Sequence, residues 1–230
     1  MSDKKIFIHI PKNAGTTIRL NPILQNLIIP AGPEIHKSKE YSDTVRKKME
    51  FLGDHHGFEH ARWRDLNPDI TSKYRSFAVV RNPWDRVVSR YFFAKKIIEV
   101  EYKSAPTYAD VSSFEAFLDE RYKWGNVDYM WHRAIRGWYP AVDHVTDTDG
   151  NLRCDILSFE NFDKDICDYF DLDTPPQARN ITGMNEGSYK DLYDDNTIAM
   201  VADWYKSDID MFGYDFDTGP TKNTWRLLNE

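Results

Sequence analysis

Ile6-Phe7-Ile8-His9-Ile10-Pro11-Lys12-Asn13-Ala14-Gly15-Thr16-Thr17, paired with Phe77-Ala78-Val79-Val80-Arg81-Asn82-Pro83-Trp84-Asp85-Arg86-Val87-Val88-Ser89-Arg90-Tyr91 later in the chain, decides how this protein folds. Each is a β-branched apolar run that stops at polar turn formers and passes into a helical pattern, with a basic residue where the strand ends. Ile6 to Ile10 reads as a strand covered on both faces, as in a parallel sheet, with His9 its only polar member. Pro11 and Gly15 punctuate a tight loop. Thr16 and Thr17 stand where the next helix begins, so their hydroxyls and the first N–H groups of that helix point into the loop, an anion site of backbone donors and helix dipole. Lys12 adds a positive charge. This loop alone leaves the plainer reading open, a strand, a turn and a solvated lysine.

A nucleoside triphosphate loop of the G-x-x-x-x-G-K-[ST] type places its lysine after the second glycine, whereas Lys12 precedes Gly15. An ATP or GTP site is therefore disfavoured. In the second segment Asn82 suits an N-cap, Pro83 the first helical position and Asp85 the first turn. Val88 and Phe92, and Val87, Tyr91 and Ile98, have the spacing of a buried stripe, which leaves Arg86 and Arg90 on other faces. Arg81 can set its planar fork against a phosphate at the strand end, and Ser89, two turns along by helical geometry, can reach its flank. The plainer alternatives are an ion pair with an acidic neighbour for Arg81 and a helix contact for Ser89.

Pro11-Lys12-x-Ala14-Gly15-Thr16-Thr17 together with Val80-Arg81-Asn82-Pro83-Trp84-x-Arg86-x-x-Ser89-x-Tyr91 resembles the sulfotransferases that use 3′-phosphoadenosine 5′-phosphosulfate (PAPS), in particular the carbohydrate, Golgi-type branch and its bacterial and viral relatives. The first part looks like the 5′-phosphosulfate loop and the second like the 3′-phosphate strand and helix. Leu152 to Phe162, with Ser158-Phe159-Glu160-Asn161, and Tyr205-Lys206-Ser207-Asp208-Ile209-Asp210-x-Phe212-Gly213-Tyr214 are similar to later parts of the same family, while residues 95 to 140 match loosely. The resemblance implies one sulfotransferase domain over residues 1–230. It implies PAPS as cofactor, 3′-phosphoadenosine 5′-phosphate (PAP) as its product, no required metal, and a hydroxyl-bearing acceptor, a glycan or small molecule. Lys12, Asn13, Ala14, Gly15, Thr16, Thr17, Arg81 and Ser89 are then the cofactor contacts. A late loop over Asn180 to Lys190 occupies the place of one that closes over the adenosine, with Ser188, Tyr189 and Lys190 as contributors.

Composition agrees with a globular protein, since 41% hydrophobic residues suffice for a core in 230 residues. Met1-Ser2-Asp3-Lys4-Lys5 leads directly into the first strand, with neither a signal-peptide pattern nor an apolar run long enough to span a membrane. A cytoplasmic location and a bacterial, viral or truncated form are the expectations. Cys154 and Cys167 make no metal or redox motif and read as reduced, packed thiols. The net charge of -7 is divided unevenly: residues 1–100 hold 18 Lys and Arg against 11 Asp and Glu, a balance of +7, and residues 101–230 hold 12 against 26, a balance of -14. The basic half contains both phosphate segments, whereas the acidic half would repel nucleic acid or a highly sulfated polymer. A neutral or weakly charged acceptor and no nucleic-acid partner are expected; a purely solvated acidic surface explains the same numbers. Oligomeric state is not legible.

Helices are expected over Thr44 to Leu52, Phe58 to Leu66, Ser112 to Tyr122, Asn161 to Phe170 and Asp195 to Phe212, with strands at Ser76 to Val80 and Arg153 to Leu157. Asp147-Thr148-Asp149-Gly150-Asn151 signals a hairpin-like turn after Val142 to Val145. Alternating strands and helices argue for a three-layer, P-loop-like α/β domain with a mostly parallel central sheet flanked by helices, and ligands at the strands' carboxyl ends.

Sulfuryl transfer needs a base for the acceptor hydroxyl and fixed positive donors for the leaving phosphate. Lys12 and the loop N–H groups suit the leaving side. His60 is the favoured base, because His60-Ala61-x-x-Arg64-Asp65 resembles a segment of bacterial relatives in which the histidine has that role. His55 and His56 are second choices and Glu59 a rival; His56 and His60, at i and i+4, also allow a metal reading, weakened by Gly57 between them. Trp124, Trp131, Trp138 and Tyr139 are either core or sugar-stacking rings. A P-loop-type nucleotide kinase and a noncatalytic adenosine-bisphosphate-binding protein remain the alternatives.

Overall fold

The computed structural model describes residues 4–100, 109–179 and 188–229. Four strands, β1 (Lys5–Ile8), β2 (Ile28–Pro30), β3 (Ser76–Val80) and β4 (Asp155–Ser158), form one sheet in the order β2-β1-β3-β4, and every pairing is parallel. The alternation of side chains along each strand divides the core in two. Ile6, Ile8, Ala78, Val80 and Ile156 face one layer, and Phe7, Phe77, Val79 and Leu157 the other. Both faces are covered, which is why the strands read as continuous apolar runs.

On the second face lie α1 (Gly15–Arg19), α2 (Leu24–Leu27) and α8 (Phe162–Phe170), whose Ile18, Leu24, Ile166 and Phe170 are buried there. The first face is covered by α5 (Pro83–Val100), α6 (Phe114–Trp124), α7 (Ala141–Val145), α9 (Asp195–Trp204) and α10 (Lys206–Phe212). The remaining helices are α3 (Lys39–Phe51), α4 (Pro68–Thr71) and the terminal α11 (Trp225–Asn229). Because α1 leaves β1 toward one face and α5 leaves β3 toward the other, a crevice opens between the carboxyl ends of these neighbouring strands.

Several elements differ from the sequence expectation. The helix expected from Thr44 starts five residues earlier, where Ser38 accepts from the Tyr41 N–H and caps it. Phe58 to Leu66 is two 3-10 turns, Phe58–His60 and Trp63–Asp65. Val142 to Val145 belongs to α7 rather than to a hairpin strand; only the bridge between Thr146 and Leu152 remains of the hairpin. The span Asp195 to Phe212 breaks at Tyr205, whose ring is fully buried and whose hydroxyl accepts from Arg90. Arg86 and Arg90 are buried too, at 1% and 0% exposure. Arg90 donates to the carbonyls of Ala134 and Ile135 and lies over the Trp138 ring, and Arg86 reaches the Pro11 carbonyl and faces Asp208. Among the described residues no helix is long and apolar enough to cross a membrane.

Candidate active site

The carboxyl ends of β1, β3 and β4 empty into a cavity of about 700 Å³, a size suited to a small organic ligand. Its lining joins the two opening segments: Lys12, Ala14, Gly15, Thr16 and Thr17 from the first, Arg81 and Ser89 from the second, and His60 from the 3-10 turn between them. Asn13 lies outside the lining, with its amide donating to the Val79 carbonyl at 2.8 Å.

The loop after β1 has an unusual backbone. Lys12 and Ala14 have φ values of 69° and 59°, the left-handed region that L-residues enter at a cost of about 1–2 kcal/mol each. Such strain persists where the surroundings fix it, often at binding sites, and left-handed residues alternating with others turn successive N–H groups into one concavity. Gly15 is required for a different reason: a Cβ there would fall 1.7 Å from Nε2 of His9. With only five residues α1 contributes little dipole, so the loop N–H groups and neighbouring cations make the site. Thr17 lines the cavity while its hydroxyl accepts from the Arg179 N–H at 3.1 Å.

Charge accumulates around Lys12. Burial, reinforced by Arg81, Lys96 and Arg90, pushes its ammonium down to about 7, and its Nζ lies 4.1 Å over the Phe93 ring. Arg81 forms the ion pair with an acidic neighbour that its plainer reading foresaw, with Nε and Nη2 each 2.7 Å from Asp85, while Nη1 donates to the Lys12 carbonyl at 3.1 Å. These contacts use three of its five N–H groups and leave the guanidinium fixed in the cavity wall.

His60 is buried, and its Nδ1 donates to the His9 carbonyl at 2.8 Å, so Nε2 carries the lone pair. Burial lowers its pKa to about 4 against the opposing pull of Glu59, and the imidazole is neutral near pH 7. The turn bearing it is held by two further histidines. His132 donates from Nδ1 to the Gly57 carbonyl at 3.0 Å and meets the Tyr41 hydroxyl through Nε2 at 3.2 Å; His36 approaches the Phe58 carbonyl at 3.4 Å through Nε2 and contacts Ser42 through Nδ1. Gly57, at φ 56°, lies so close to the His132 carbonyl that a Cβ would fall 2.3 Å from it.

The rivals to His60 sit differently. His55 and His56 are exposed and outside the cavity, His55 accepting from Arg133 and His56 stacked on Phe58. Glu59 lines the cavity, but its carboxylate pairs with Arg19 at 3.1 Å; burial would raise its pKa, yet His60, its own backbone N–H and Arg19 bring it below the usual value. Among the described residues no group of three His, Cys, Asp or Glu gathers as metal ligands.

The late loop is only partly visible: Asn180 to Gly187 lie outside the described residues. Ser188 and Lys190 are not in the cavity lining, because Ser188 caps a 3-10 turn and Lys190 pairs with Asp217. Trp131 and Trp138 are core, each under an arginine, and Trp124 and Tyr139 are half-buried with their polar atoms bonded to Glu120 and Val127. Sequence reading missed Arg19, Lys164 and Arg179, cations that tertiary structure alone brings to the cavity. It also missed Glu160, which accepts from the Asn82 N–H at 2.6 Å and the Ser158 hydroxyl at 2.8 Å and so ties the ends of β3 and β4.

A family model described as "Sulfotransferase family" matches residues 2–215. The chain is also 28% identical over 166 residues to "Sulfotransferase 2A2" of Rattus norvegicus, an alignment covering 68% of this chain and 51% of that protein. It thus spans about half the length of the curated relative it matches. Set beside the strand-end cavity and the two basic segments that line it, the family match over almost the whole chain gives the conclusion: this protein belongs to the sulfotransferase family.

Proposed function

We propose that this chain transfers a sulfuryl group from PAPS to a hydroxyl of a carbohydrate acceptor, with His60 as base. One observation carries the reading: the Lys12 loop, the Arg81 and Ser89 pair, and a neutral histidine with its lone pair on Nε2 converge on a single cavity. The site suits a ligand with anionic groups at two positions, since the left-handed backbone of the loop lies beside Lys12, on which burial and the charges of Arg81 and Lys96 act together, and the cavity wall carries further cations in Lys164 and Arg179. Bound there, PAPS would supply a sulfur whose bond to the phosphate oxygen breaks as the bond to the acceptor oxygen forms.

The chain's own groups have separate tasks. Lys12 and the loop N–H groups take up the charge that gathers on the leaving phosphate, and Arg81 with Ser89 and the cations Lys164 and Arg179 hold the other phosphate. His60 accepts the acceptor's proton at Nε2 while Nδ1–H stays on the His9 carbonyl, and neighbouring Glu59 favours the imidazolium that results.

Calorimetric titration with PAP tests the core of this reading, with binding expected in the micromolar to sub-millimolar range; no heat across that range would sink it. Arg81→Ala should weaken PAP binding about tenfold or more, the loss of a charged hydrogen bond. His60→Ala should bind PAP like the parent and lose transfer of labelled sulfate, and undiminished transfer would move the base elsewhere. A nucleotide kinase would instead need ATP and magnesium, and family membership gives that alternative no support. A noncatalytic binding protein would bind PAP and transfer nothing.

A further inference from the structure

Arg19 and Glu59 form a part of the cavity wall from which the reaction above takes only the charge of Glu59 beside His60. Arg19, at the end of α1, meets Glu59 across the gap to the 58–60 turn, and the side chains stay 38% and 28% exposed in a cavity that both line. Glu59 immediately precedes His60, so the pair borders the base. The contact joins one carboxylate oxygen to one guanidinium nitrogen, which sets an acceptor and further N–H donors side by side.

We propose that Arg19 and Glu59 form the acceptor subsite and select a neutral polyol, a sugar ring whose two adjacent hydroxyls engage the pair while a third meets Nε2 of His60. A hydroxyl both donates and accepts, so a vicinal diol can donate to Glu59 and accept from Arg19 without breaking the match between them. The pair is neutral as a unit and asks for no net charge on the acceptor. An anionic acceptor would compete with Glu59 for Arg19 and meet its carboxylate. A phenol or sterol alcohol would favour bare aromatic faces, whereas two of the rings described in this lining each carry a cation. Phe93 lies under Lys12 at 4.1 Å, Phe159 under Arg81 at 4.0 Å, and Phe162 packs into the core beneath the sheet.

This proposal rests on the sulfotransferase reading, so the test separates the two. PAP-saturated protein is examined by saturation-transfer NMR with methyl glucoside, methyl galactoside and 2-naphthol, and labelled-sulfate transfer from PAPS is measured to the same three compounds. Expected are contact with and transfer to at least one glycoside in preference to 2-naphthol. Glu59→Gln and Arg19→Gln should raise the glycoside Kd and KM about tenfold or more with PAP affinity unmoved, and Arg19→Lys should recover part of the loss. PAP binding with transfer to 2-naphthol but not to either glycoside would overturn the subsite and leave the sulfotransferase reading intact. So would variants with unchanged glycoside Kd. A fall in kcat at unchanged glycoside Kd and KM in Glu59→Gln would confine Glu59 to the proton transfer at His60 and likewise overturn the proposal. Absence of both PAP binding and transfer removes the underlying reading and this one with it.

Discussion

Lys12 is a buried amine whose pKa burial, with Arg81, Lys96 and Arg90 close by, lowers to about 7. A bound phosphate reverses that balance, so at pH 8 PAP binding should take up protons, visible as a buffer-dependent heat in calorimetry. Between pH 7.5 and 9, where both phosphates are ionised, affinity should fall by up to about tenfold per unit as pH rises. Lys12→Arg, charged throughout, should flatten the slope; a parent profile already flat would contradict the account. Lys12 and Arg81 were legible in the sequence because each stands at a strand end beside its own turn chemistry. Arg86 and Arg90 were not, because helical periodicity identifies one buried stripe and cannot say that neighbouring layers bury the rest. Arg19, Lys164 and Arg179 carry no local signal at all, being scattered across α1, α8 and the segment that follows it.

At the scale of elements, the turn Phe58–His60 carries the proposed base, and its own 3-10 hydrogen bonds run from the His60 N–H to the Gly57 carbonyl at 3.0 Å and from the Ala61 N–H to the Phe58 carbonyl at 3.3 Å. The same two carbonyls also meet the imidazoles of His132 and His36, which brace the turn from outside. Asparagine can reproduce a donor at the Nδ1 position of histidine, and glutamine one at Nε2. His132→Leu should therefore lower kcat about tenfold or more while PAP affinity holds, His132→Asn should restore most of the rate, and His132→Gln should not. Equal loss in all three would mean that ring volume, not the bond to Gly57, is what matters. The strand and first turn at each phosphate segment were readable in sequence, since Ser76–Val80 and the Asn82 cap are set by neighbours along the chain. The break at Tyr205 was not, because it depends on Arg90 reaching over from α5.

For the molecule as a whole, burial keeps five of the seven histidines neutral: it lowers His60 to about 4 and His132 to about 3, and lowers His9, His36 and His144 as well. His144 makes no hydrogen bond through either ring nitrogen among the described residues, so protonation there would find no partner. With folded pKa values below the unfolded 6.5, the unfolded chain binds more protons as pH falls, and the contribution present above pH 6.5 is lost toward pH 3–4. Each histidine that stays neutral removes about 1.4 kcal/mol per pH unit below its unfolded pKa. Asp208 and Glu160, which burial raises, work in the opposite sense but are fewer. Thermal unfolding should accordingly show a Tm at least about 3 °C lower at pH 5.5 than at pH 7.5, and a constant Tm would refute the assignment. One further consequence belongs to this scale. The Asn13 amide on the Val79 carbonyl and the Arg81 guanidinium on the Lys12 carbonyl fasten the segments at the ends of β1 and β3 to each other. The cavity therefore behaves as a caliper with locked jaws: its span is set by the chain, neither side can be adjusted alone, and any change in the length of ligand it admits must move both segments together.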